Sequence, residues 1–228
     1  MYFSRIRRPV ELALSQKYLK LSVGNIGEEH KFIWQLFPHD KDADRDFLYR
    51  RFDTDAFQQF FVLSSRKPLE NLPTWEIDAK LYEPKIKVGN HYHFNLRVNP
   101  VVTKMPMGTD SKKRKRDDVY MDALAKNKAA PETERVSKAE ILQNSAMQWL
   151  LERAESNGFS VSRDTVLVEG YQRFEMNSRK DKQRIQIGVI DYSGSLTVSN
   201  VGLFYRTLNQ GLGKSRAFGC GLLMIKKV

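Results

Sequence analysis

His30 is the residue in this sequence with the clearest potential for proton-transfer chemistry. It lies on or beside the apolar stripe of a predicted helix, where a titratable side chain requires an explanation. An imidazole with an ordinary pKa of about 6.5 can accept or donate a proton at neutral pH. Two interpretations stay open: a core or edge histidine with satisfied hydrogen bonds, which the residues alone favour, or a catalytic acid or base.

The other histidines offer a weaker possibility of metal binding. His91 and His93 are two residues apart, so they share one face of a predicted strand and could ligate a metal together. No cysteine or acidic third ligand is obvious near them, and His39, which follows Pro38, is expected to be solvated. We therefore expect no metal site and no cofactor. Because no acidic pair stands out, two-metal nuclease chemistry has no support either.

A glycine-rich loop near the C-terminus combines a flexible backbone with charged side chains. Residues 211–221 contain four glycines, which exclude a helix and permit positive φ and a close approach to a neighbour or ligand. The loop is either a tight connection into a last buried strand or a backbone cradle for an anion, and the two roles are compatible. The candidate anion-binding residues are Gly211, Gly213, Lys214, Ser215 and Arg216.

This loop is not a nucleotide-binding P-loop. The run Gly213-Lys214-Ser215 is similar to the end of that motif, but Leu208 stands where the motif requires its first glycine. Only thirteen residues follow Ser215, too few for the helix and sheet of a nucleotide-binding fold.

The charge of the chain predicts a polyanionic partner. Its 228 residues include 38 Lys and Arg against 27 Asp and Glu, a net charge of +11. Two basic runs accompany the glycine loop, and each has an alternative interpretation as an ordinary solvated surface. The first is Lys112, Lys113, Arg114, Lys115 and Arg116, and the second, on a predicted hairpin, is Arg173, Arg179, Lys180, Lys182 and Arg184.

Cysteine usage and hydropathy indicate a cytoplasmic protein. Cys220 is the single cysteine, so no intrachain disulfide can form, as suits a reducing compartment. No apolar run approaches the ~18 residues of a membrane span, and the N-terminus lacks an apolar segment of signal-peptide length. We expect no membrane association.

Hydrophobic spacing predicts alternating strands and helices. Asn25, Ser137 and Asn200 are suited to be N-caps of the three predicted helices. Residues 75–82 are strand or irregular, and a further helix around 67–80 is only weakly indicated. Helices are predicted at 26–36, 138–156 and 201–210, and strands at 2–7, 47–52, 57–64, 91–98, 165–176, 183–190, 195–198 and after Gly221.

The order of these elements predicts an α+β protein with two tandem ferredoxin-like (RRM-like) domains. Each half is interpreted as strand, helix, two strands, connection and strand. We place the N-terminal domain at residues 1–102, a basic linker or loop at 103–133, and the C-terminal domain at 134–228. The linker is predicted because no apolar periodicity occurs before Val136.

The sequence resembles the CasE family, the CRISPR repeat-processing endoribonucleases of the type I-E Cascade complex. The islands that carry the resemblance occur in family order over nearly the whole chain. They are HKFIWQLFP from His30 to Pro38, RDFL from Arg45 to Leu48, LRVNP from Leu96 to Pro100, the helix with Trp149-Leu150, and the glycine loop from Gly211 to Leu223.

The resemblance implies both the fold and an activity. Family members have two ferredoxin-like domains, cut the repeat RNA at the base of its hairpin without a metal, and stay bound to the mature guide RNA. The resemblance places the catalytic histidine at His30 and makes Lys31 a candidate for stabilising charge on the scissile phosphate. It implies CRISPR repeat stem-loop RNA and other Cascade subunits as partners, with the hairpin at 173–184 against the RNA stem.

One departure keeps a second function open. Characterised relatives carry a tyrosine one helical turn before the histidine, where this chain has Gly27. Another side chain must supply that hydroxyl, or the reaction proceeds without it. The alternative is a non-catalytic RNA-binding subunit of a CRISPR ribonucleoprotein.

The basic hairpin tip yields the first prediction. Replacing Arg179, Lys180 and Lys182 together with Ala should weaken binding of the repeat stem-loop and flatten its salt dependence. Each lost phosphate contact should lower the slope of log K against log salt by roughly 0.7–0.9. Binding titrations at several salt concentrations measure this slope, and an unchanged slope would show that the tip does not contact RNA.

Overall fold

Two antiparallel sheets of four strands organise the chain. The computed structural model of the protein describes residues 1–8, 25–37, 43–53, 58–104, 115–177 and 184–228. In these ranges each sheet is covered by helix on one face. Residues near the middle of the chain form a separate two-stranded ribbon.

The N-terminal sheet has the strand order β2-β3-β1-β4, with every neighbouring pair antiparallel. Its elements are β1 (Tyr2–Arg7), α1 (Ile26–Trp34), β2 (Phe47–Asp53), β3 (Gln58–Ser64) and β4 (Glu76–Leu81). Alternate residues of each strand point to the same face, and on one face these residues are apolar. This face buries Ile6, Phe60 and Val62 in one cluster with Phe32 and Ile33 of α1. This packing holds α1, and with it His30, against the sheet.

The C-terminal sheet repeats the same arrangement, with the strand order β10-β5-β9-β8. Its elements are β5 (His91–Val98), α3 (Lys138–Ala154), β8 (Phe159–Asn177), β9 (Arg184–Val198), α4 (Val201–Gln210) and β10 (Leu223–Lys227). Trp149 and Leu150 of α3, Phe204 and Leu208 of α4, and Leu96 of β5 belong to one buried core. The predicted pair of ferredoxin-like domains is thus confirmed.

The predicted linker over 103–133 contains regular structure instead. It holds the ribbon β6 (Val101–Lys104) and β7 (Lys115–Asp118), the helix α2 (Val119–Ala129) and a short 3-10 turn (Glu132–Glu134). The prediction was wrong because it depended on apolar periodicity, and α2 buries only Val119. Its start is set locally: the Asp118 carboxylate accepts the N–H groups of Tyr120 and Met121, both at 3.0 Å.

Two further expectations for the N-terminal half need correction. The strand at His91–Val98 was assigned to the N-terminal domain, but it pairs with β9 and β10 of the second sheet. Alternation identifies a strand without identifying its partner, so we now place the boundary in the connection between β4 and β5. The weak helix around 67–80 is absent from the described chain, because Glu76–Leu81 forms β4 along β1.

The three predicted helix starts are confirmed. Asn25 caps α1 by accepting the N–H groups of Gly27 at 3.0 Å and Glu28 at 3.1 Å. The Ser137 hydroxyl accepts from Glu140 at 3.2 Å, and Asn200 accepts from Leu203 at 3.0 Å. These short polar side chains satisfy backbone donors that a helix leaves free in its first turn.

Gly158 ends the helical turn after α3 in a conformation that side chains disfavour. Its φ is +82°, and a Cβ there would lie 2.4 Å from the backbone nitrogen of Phe204 and 2.5 Å from the carbonyl oxygen of Asn200. Gly158 thus lets the chain after α3 pack against the first turn of α4 at a distance that only glycine allows.

This close approach predicts a large loss of stability for Gly158→Ala. The strain of a left-handed alanine costs about 1–2 kcal/mol, and the backbone contact should add about 1–3 kcal/mol. Gly89→Ala is the matched control, since its φ is +80° but nothing lies within 4 Å of the added Cβ. Urea unfolding of both variants measures the difference, and equal losses would contradict the role of the contact.

Candidate functional site

His30 lies on α1 at the side of the N-terminal sheet that meets the glycine loop. Its ring is half-buried, with the ring centroids of Phe47 and Phe218 each 6.1 Å away. The indole Nε1–H of Trp34, one helical turn on, donates to His30 Nε2 at 3.1 Å. Since Nε2 accepts a hydrogen bond it carries a lone pair, so the ring is neutral and keeps its proton on Nδ1.

The glycine loop of the C-terminal domain packs directly against this histidine. Its centre is a short 3-10 turn (Arg216–Phe218) that contacts both α1 and β2. The Tyr49 hydroxyl on β2 donates to the carbonyl of Ala217 at 3.2 Å. The loop is closed at its base, where the N–H of Leu212 donates to the carbonyl of Gly221 at 2.9 Å. His30 therefore stands at the junction of the two domains.

Glycine is required at this closure. Gly221 has φ +89°, and a Cβ there would lie 2.8 Å from the carbonyl oxygen of Leu212. Ser215 is also left-handed, with φ 56°, although it is not glycine. Such backbone strain is tolerated when the surrounding structure determines the loop's course, and it is common at binding sites.

The surroundings of His30 favour its uncharged form. Burial lowers the pKa of His30 below its ordinary value, the positive charge of Arg45 lowers it further, and the nearby carbonyl of Ala217 opposes both. The ring is therefore still neutral somewhat below the pH at which an exposed histidine becomes charged. A neutral imidazole is the form that can accept a proton.

Arg45 lies near the imidazole, and Arg216 of the glycine loop lies near Arg45. Burial lowers the pKa of Arg45, and the charge of Arg216 lowers it further. Arg216 donates its Nε–H to the carbonyl of Gly213 at 3.1 Å. Among the described residues neither arginine forms an ion pair with a carboxylate. The arrangement combines a proton acceptor with two positive charges that no carboxylate in the described part of the chain neutralises by an ion pair.

Of the other residues proposed for the loop and for catalysis, Lys31 and Lys214 are exposed. Lys31 follows His30 on α1, and the backbone of Lys214 bridges to Asn99. Gly213 lies over the indole of Trp149, so that a Cβ would be 3.5 Å from the ring, and Gly211 ends α4. The structure thus brings the turn that contains Arg216 against the helix of His30, and the glycines allow the backbone course of the loop.

The described residues of the two basic runs lie on adjoining elements. At their bases, the Tyr171 hydroxyl on β8 donates to Asp118 at the end of β7 at 3.2 Å, and the Tyr120 and Tyr171 rings are 4.8 Å apart. Arg116 on β7 is exposed, and exposed Arg173 on β8 donates to Gln186 on β9. The backbones of Lys115 and Arg184 lie in β7 and β9. Outside the described residues are Lys112, Lys113, Arg114, Arg179, Lys180, Lys182 and His39.

Sequence reasoning did not assign roles to Arg45 or Trp34, although both stand in the quoted islands. A sequence pattern pointed to both, since Trp34 is at the i+4 position from His30 and Arg45 lies two residues before the buried strand β2. Tyr49 does not replace the hydroxyl missing at Gly27. Burial raises the pKa of Tyr49 well above its usual range, and its proton is used on Ala217.

The histidine pair on β5 is held by hydroxyl groups. His91 Nδ1 lies 3.0 Å from the Thr197 hydroxyl, and His93 Nδ1 lies 3.2 Å from the Ser195 hydroxyl. The described part of the chain contains no group of three or more side chains able to hold a metal ion. In that same part, no helix is both long and apolar enough to cross a membrane.

Comparisons with known proteins agree with this architecture. A family model described as "CRISPR associated protein" matches residues 1–227. The CRISPR system Cascade subunit CasE of Escherichia coli (strain K12) is 27% identical over 198 residues, which cover 86% of this chain and 89% of that protein.

Solved structures of similar fold cover the whole chain. A CRISPR endoribonuclease Cse3 bound to 19 nt RNA has a TM-score of 0.71 at 19% identity, covering 99% of this chain and 100% of that one. The Cas6e protein from E. coli K-12 has a TM-score of 0.58 at 21% identity, with 100% of both chains covered. At these identities the likeness establishes the shared fold.

The electrostatics of the site predict how His30 titrates. NMR titration should give a His30 pKa below about 6.5. In Arg45→Gln it should rise, because the repulsion between the guanidinium and the imidazolium is removed while burial remains. Arg163→Gln is the control: it removes the same charge from an exposed residue that bonds Gln148 in the other domain, and the His30 titration should not change. No rise in Arg45→Gln would show that Arg45 does not act on the imidazole.

Proposed function

From the premise that this chain belongs to the CRISPR associated protein family, as a CasE-type member, we propose that it is a metal-independent endoribonuclease. It cleaves CRISPR precursor RNA at the base of the repeat hairpin and stays bound to the mature guide RNA. The observation that carries the proposal is the neutral imidazole of His30 near Arg45, which in turn lies near Arg216, with no carboxylate of the described residues ion-paired to either arginine.

The reaction is an internal transesterification that needs only proton transfer and charge stabilisation. His30 Nε2 takes the proton of the ribose 2′-hydroxyl, whose oxygen then forms a bond to the adjacent phosphorus. The bond from phosphorus to the 5′-oxygen breaks, the 5′-oxygen takes a proton from water, and the imidazolium then returns its proton to the solvent. The products are a 2′,3′-cyclic phosphate and a 5′-hydroxyl. A base whose pKa lies near or below neutral is in its working form at physiological pH.

Substrate entry requires a change of hydrogen-bond partner. Trp34 donates to Nε2 in the RNA-free protein, and a 2′-hydroxyl must donate to the same lone pair. The incoming hydroxyl therefore takes the place of the indole. Trp34 keeps the unoccupied imidazole oriented and in one tautomer until that exchange.

The transferring phosphate gains negative charge in the transition state, and fixed positive groups lower the energy of that state. Arg45 near His30 and Arg216 near Arg45 supply two such groups from opposite domains. Lys31 remains a proposed third contributor, since its exposed position on α1 lets an ammonium group reach a bound RNA. Arginine is suited to the task because its planar fork can donate to two phosphate oxygens at once.

The basic elements supply affinity for the stem. A-form RNA hides its base edges in a deep groove, so contacts to phosphates and to shape dominate. The ribbon β6–β7 and the strand pair β8–β9 adjoin through Tyr171 and Asp118, and exposed Arg116 and Arg173 lie on these neighbouring elements, which supports a shared basic surface. Related structures include Cse3 bound to RNA and a chain of a CRISPR RNA-guided surveillance complex, which supports repeat RNA and other Cascade subunits as partners.

A non-catalytic RNA-binding subunit is the second candidate. It is favoured by Gly27, which lacks the family's hydroxyl, and by Trp34, which occupies the lone pair of His30. Such a protein would bind the repeat with the same basic surfaces and leave it intact.

Cleavage of the repeat RNA in EDTA tests the proposal. Wild-type protein should cut the RNA in EDTA and in magnesium alike, whereas His30→Ala should not cut but should bind within a few fold. A single 2′-deoxy substitution just upstream of the scissile phosphate should also stop cleavage and leave binding intact, because phosphate and shape contacts remain.

The outcomes separate the candidates. Binding without any cleavage by the wild type would establish the non-catalytic alternative. Efficient cutting of the deoxy substrate, dependence on magnesium, or a wild-type rate in His30→Ala would each overturn the mechanism. A His30→Ala variant that loses its folded circular dichroism spectrum would show instead that His30 is a structural residue.

A further inference from the structure

Two arginines share one largely buried carboxylate where the two domains meet. Asp191 on β9 accepts the Nε–H of Arg97 on β5 at 2.9 Å and its Nη2–H at 2.8 Å, one on each oxygen. Arg50 on β2 of the other domain donates its Nη2–H to the same Asp191 at 3.0 Å. The Arg50 side chain is 4% exposed and that of Asp191 is 16% exposed. One carboxylate thus ties the N-terminal sheet to the C-terminal sheet.

The cluster is not arranged for the greatest stability. Nε and Nη1 of Arg50 are buried and, among the described residues, have no hydrogen-bond partner. The Phe52 ring covers the guanidinium at 4.5 Å. Burial lowers the pKa of Arg50 to about 10, against the pull of Asp191, so the group stays charged at neutral pH. Because apolar side chains usually stabilise such a place as well or better, stability alone does not explain the charges.

The strand β2, which carries Arg50, also forms hydrogen bonds with the glycine loop and with α1, the two parts of the proposed active site. Successive strand residues point to opposite faces, so Tyr49 and Arg51 share the face toward α1. Tyr49 bonds the Ala217 carbonyl of the glycine loop, and Arg51 bonds Glu29, the residue before His30, at 3.1 Å. Arg50 points the other way, to Asp191. Three consecutive residues of β2 therefore connect the loop, the helix and the second sheet.

We propose that Arg50 and Asp191 are positioning residues for His30. Their ion pair sets how the N-terminal sheet lies on the C-terminal sheet, and so sets the placement of the imidazole against the loop that carries Arg216. Neither side chain contacts a reacting group, and both act through β2. The proposal rests on the proposed function, in which His30 and Arg216 act on one phosphate.

Arg50→Met tests this role with little risk to folding. The substitution removes the ion pair of Arg50 with Asp191 across the domains and leaves the Arg97–Asp191 pair intact. Methionine puts an apolar side chain of similar length in the same place. Single-turnover cleavage of repeat RNA should slow by ~10–100-fold, since small displacements of a catalytic group have effects of that order. The dissociation constant for the RNA should stay within a few fold.

Two further variants act as controls. Arg50→Lys keeps a charge that can reach one oxygen of Asp191 and should restore part of the rate. Arg5→Met makes the same chemical change on the same sheet, but its partner is the exposed Asp78 of the same domain. It should leave rate and affinity at the wild-type values.

A distance measurement tests the tie without any reference to cleavage. Cysteines at the exposed positions Asn71 and Lys138, one in each domain, accept spin labels, while buried Cys220 does not react. Pulsed EPR should give one narrow distance distribution in the otherwise wild-type protein and in Arg5→Met. In Arg50→Met the distribution should broaden.

Slower cleavage together with a broadened distance in Arg50→Met supports the proposal. A distribution that stays narrow overturns it, and so does a broadened distribution with a wild-type rate. If the wild type does not cut RNA, the proposed function fails, and with it the positioning of a catalytic His30. The distance distribution then decides separately whether Arg50 ties the domains together.

Discussion

Two sheets that meet over part of their open faces must bury whatever that part carries, and this constraint shapes the junction of the two domains. Each sheet is covered on one side by its own helices, so the opposite sides contact each other. Part of that contact is apolar, with Leu48 and Leu63 of the N-terminal sheet against Leu222 beside β10. The rest is ionic, and a buried charge is tolerated only with a partner. Asp191 therefore fixes one mutual placement of the domains, where an entirely apolar face would tolerate sliding.

The placement of the domains creates a site that neither domain contains alone. The N-terminal domain contributes His30 and Arg45, and the C-terminal domain contributes Arg216 and the carbonyl of Ala217. The glycines of the loop allow a backbone course that brings this carbonyl to both Tyr49 and the imidazole. A loop with ordinary side chains at Gly221 would collide with its own base. The course of the loop toward α1 thus depends on its glycines.

The sequence predicted well what is set locally and predicted poorly what is set by pairing. Helix starts at Asn25, Ser137 and Asn200 were identified because a capping side chain acts on the next turn. The helix α2 also begins at a local cap, Asp118, but it was not predicted from the sequence. The prediction depended on apolar periodicity, and α2 buries only Val119. The strand β5 was recognised and assigned to the wrong sheet, since its alternation has no information about its neighbour.

The same distinction applies to the site. His30 could be singled out because a titratable residue is unusual beside an apolar stripe. The family resemblance then predicted a catalytic role for it. The convergence of Arg45 with Arg216 could not be predicted, because these residues come from opposite ends of the chain and meet only through the packing of two domains. The partnership of Arg50 with Asp191 was hidden for the same reason.

The charges around His30 link its basicity to the presence of RNA. In the free protein the positive Arg45 lowers the imidazole pKa, so the ring is neutral but a weaker base. On the proposed mechanism a phosphodiester brings one negative charge between His30 and the two arginines. That charge offsets the effect of Arg45, and the imidazole becomes more basic when the 2′-hydroxyl is in place. On the proposed mechanism Arg45 therefore has two effects: it stabilises the transition state, and it keeps the base uncharged before the substrate arrives.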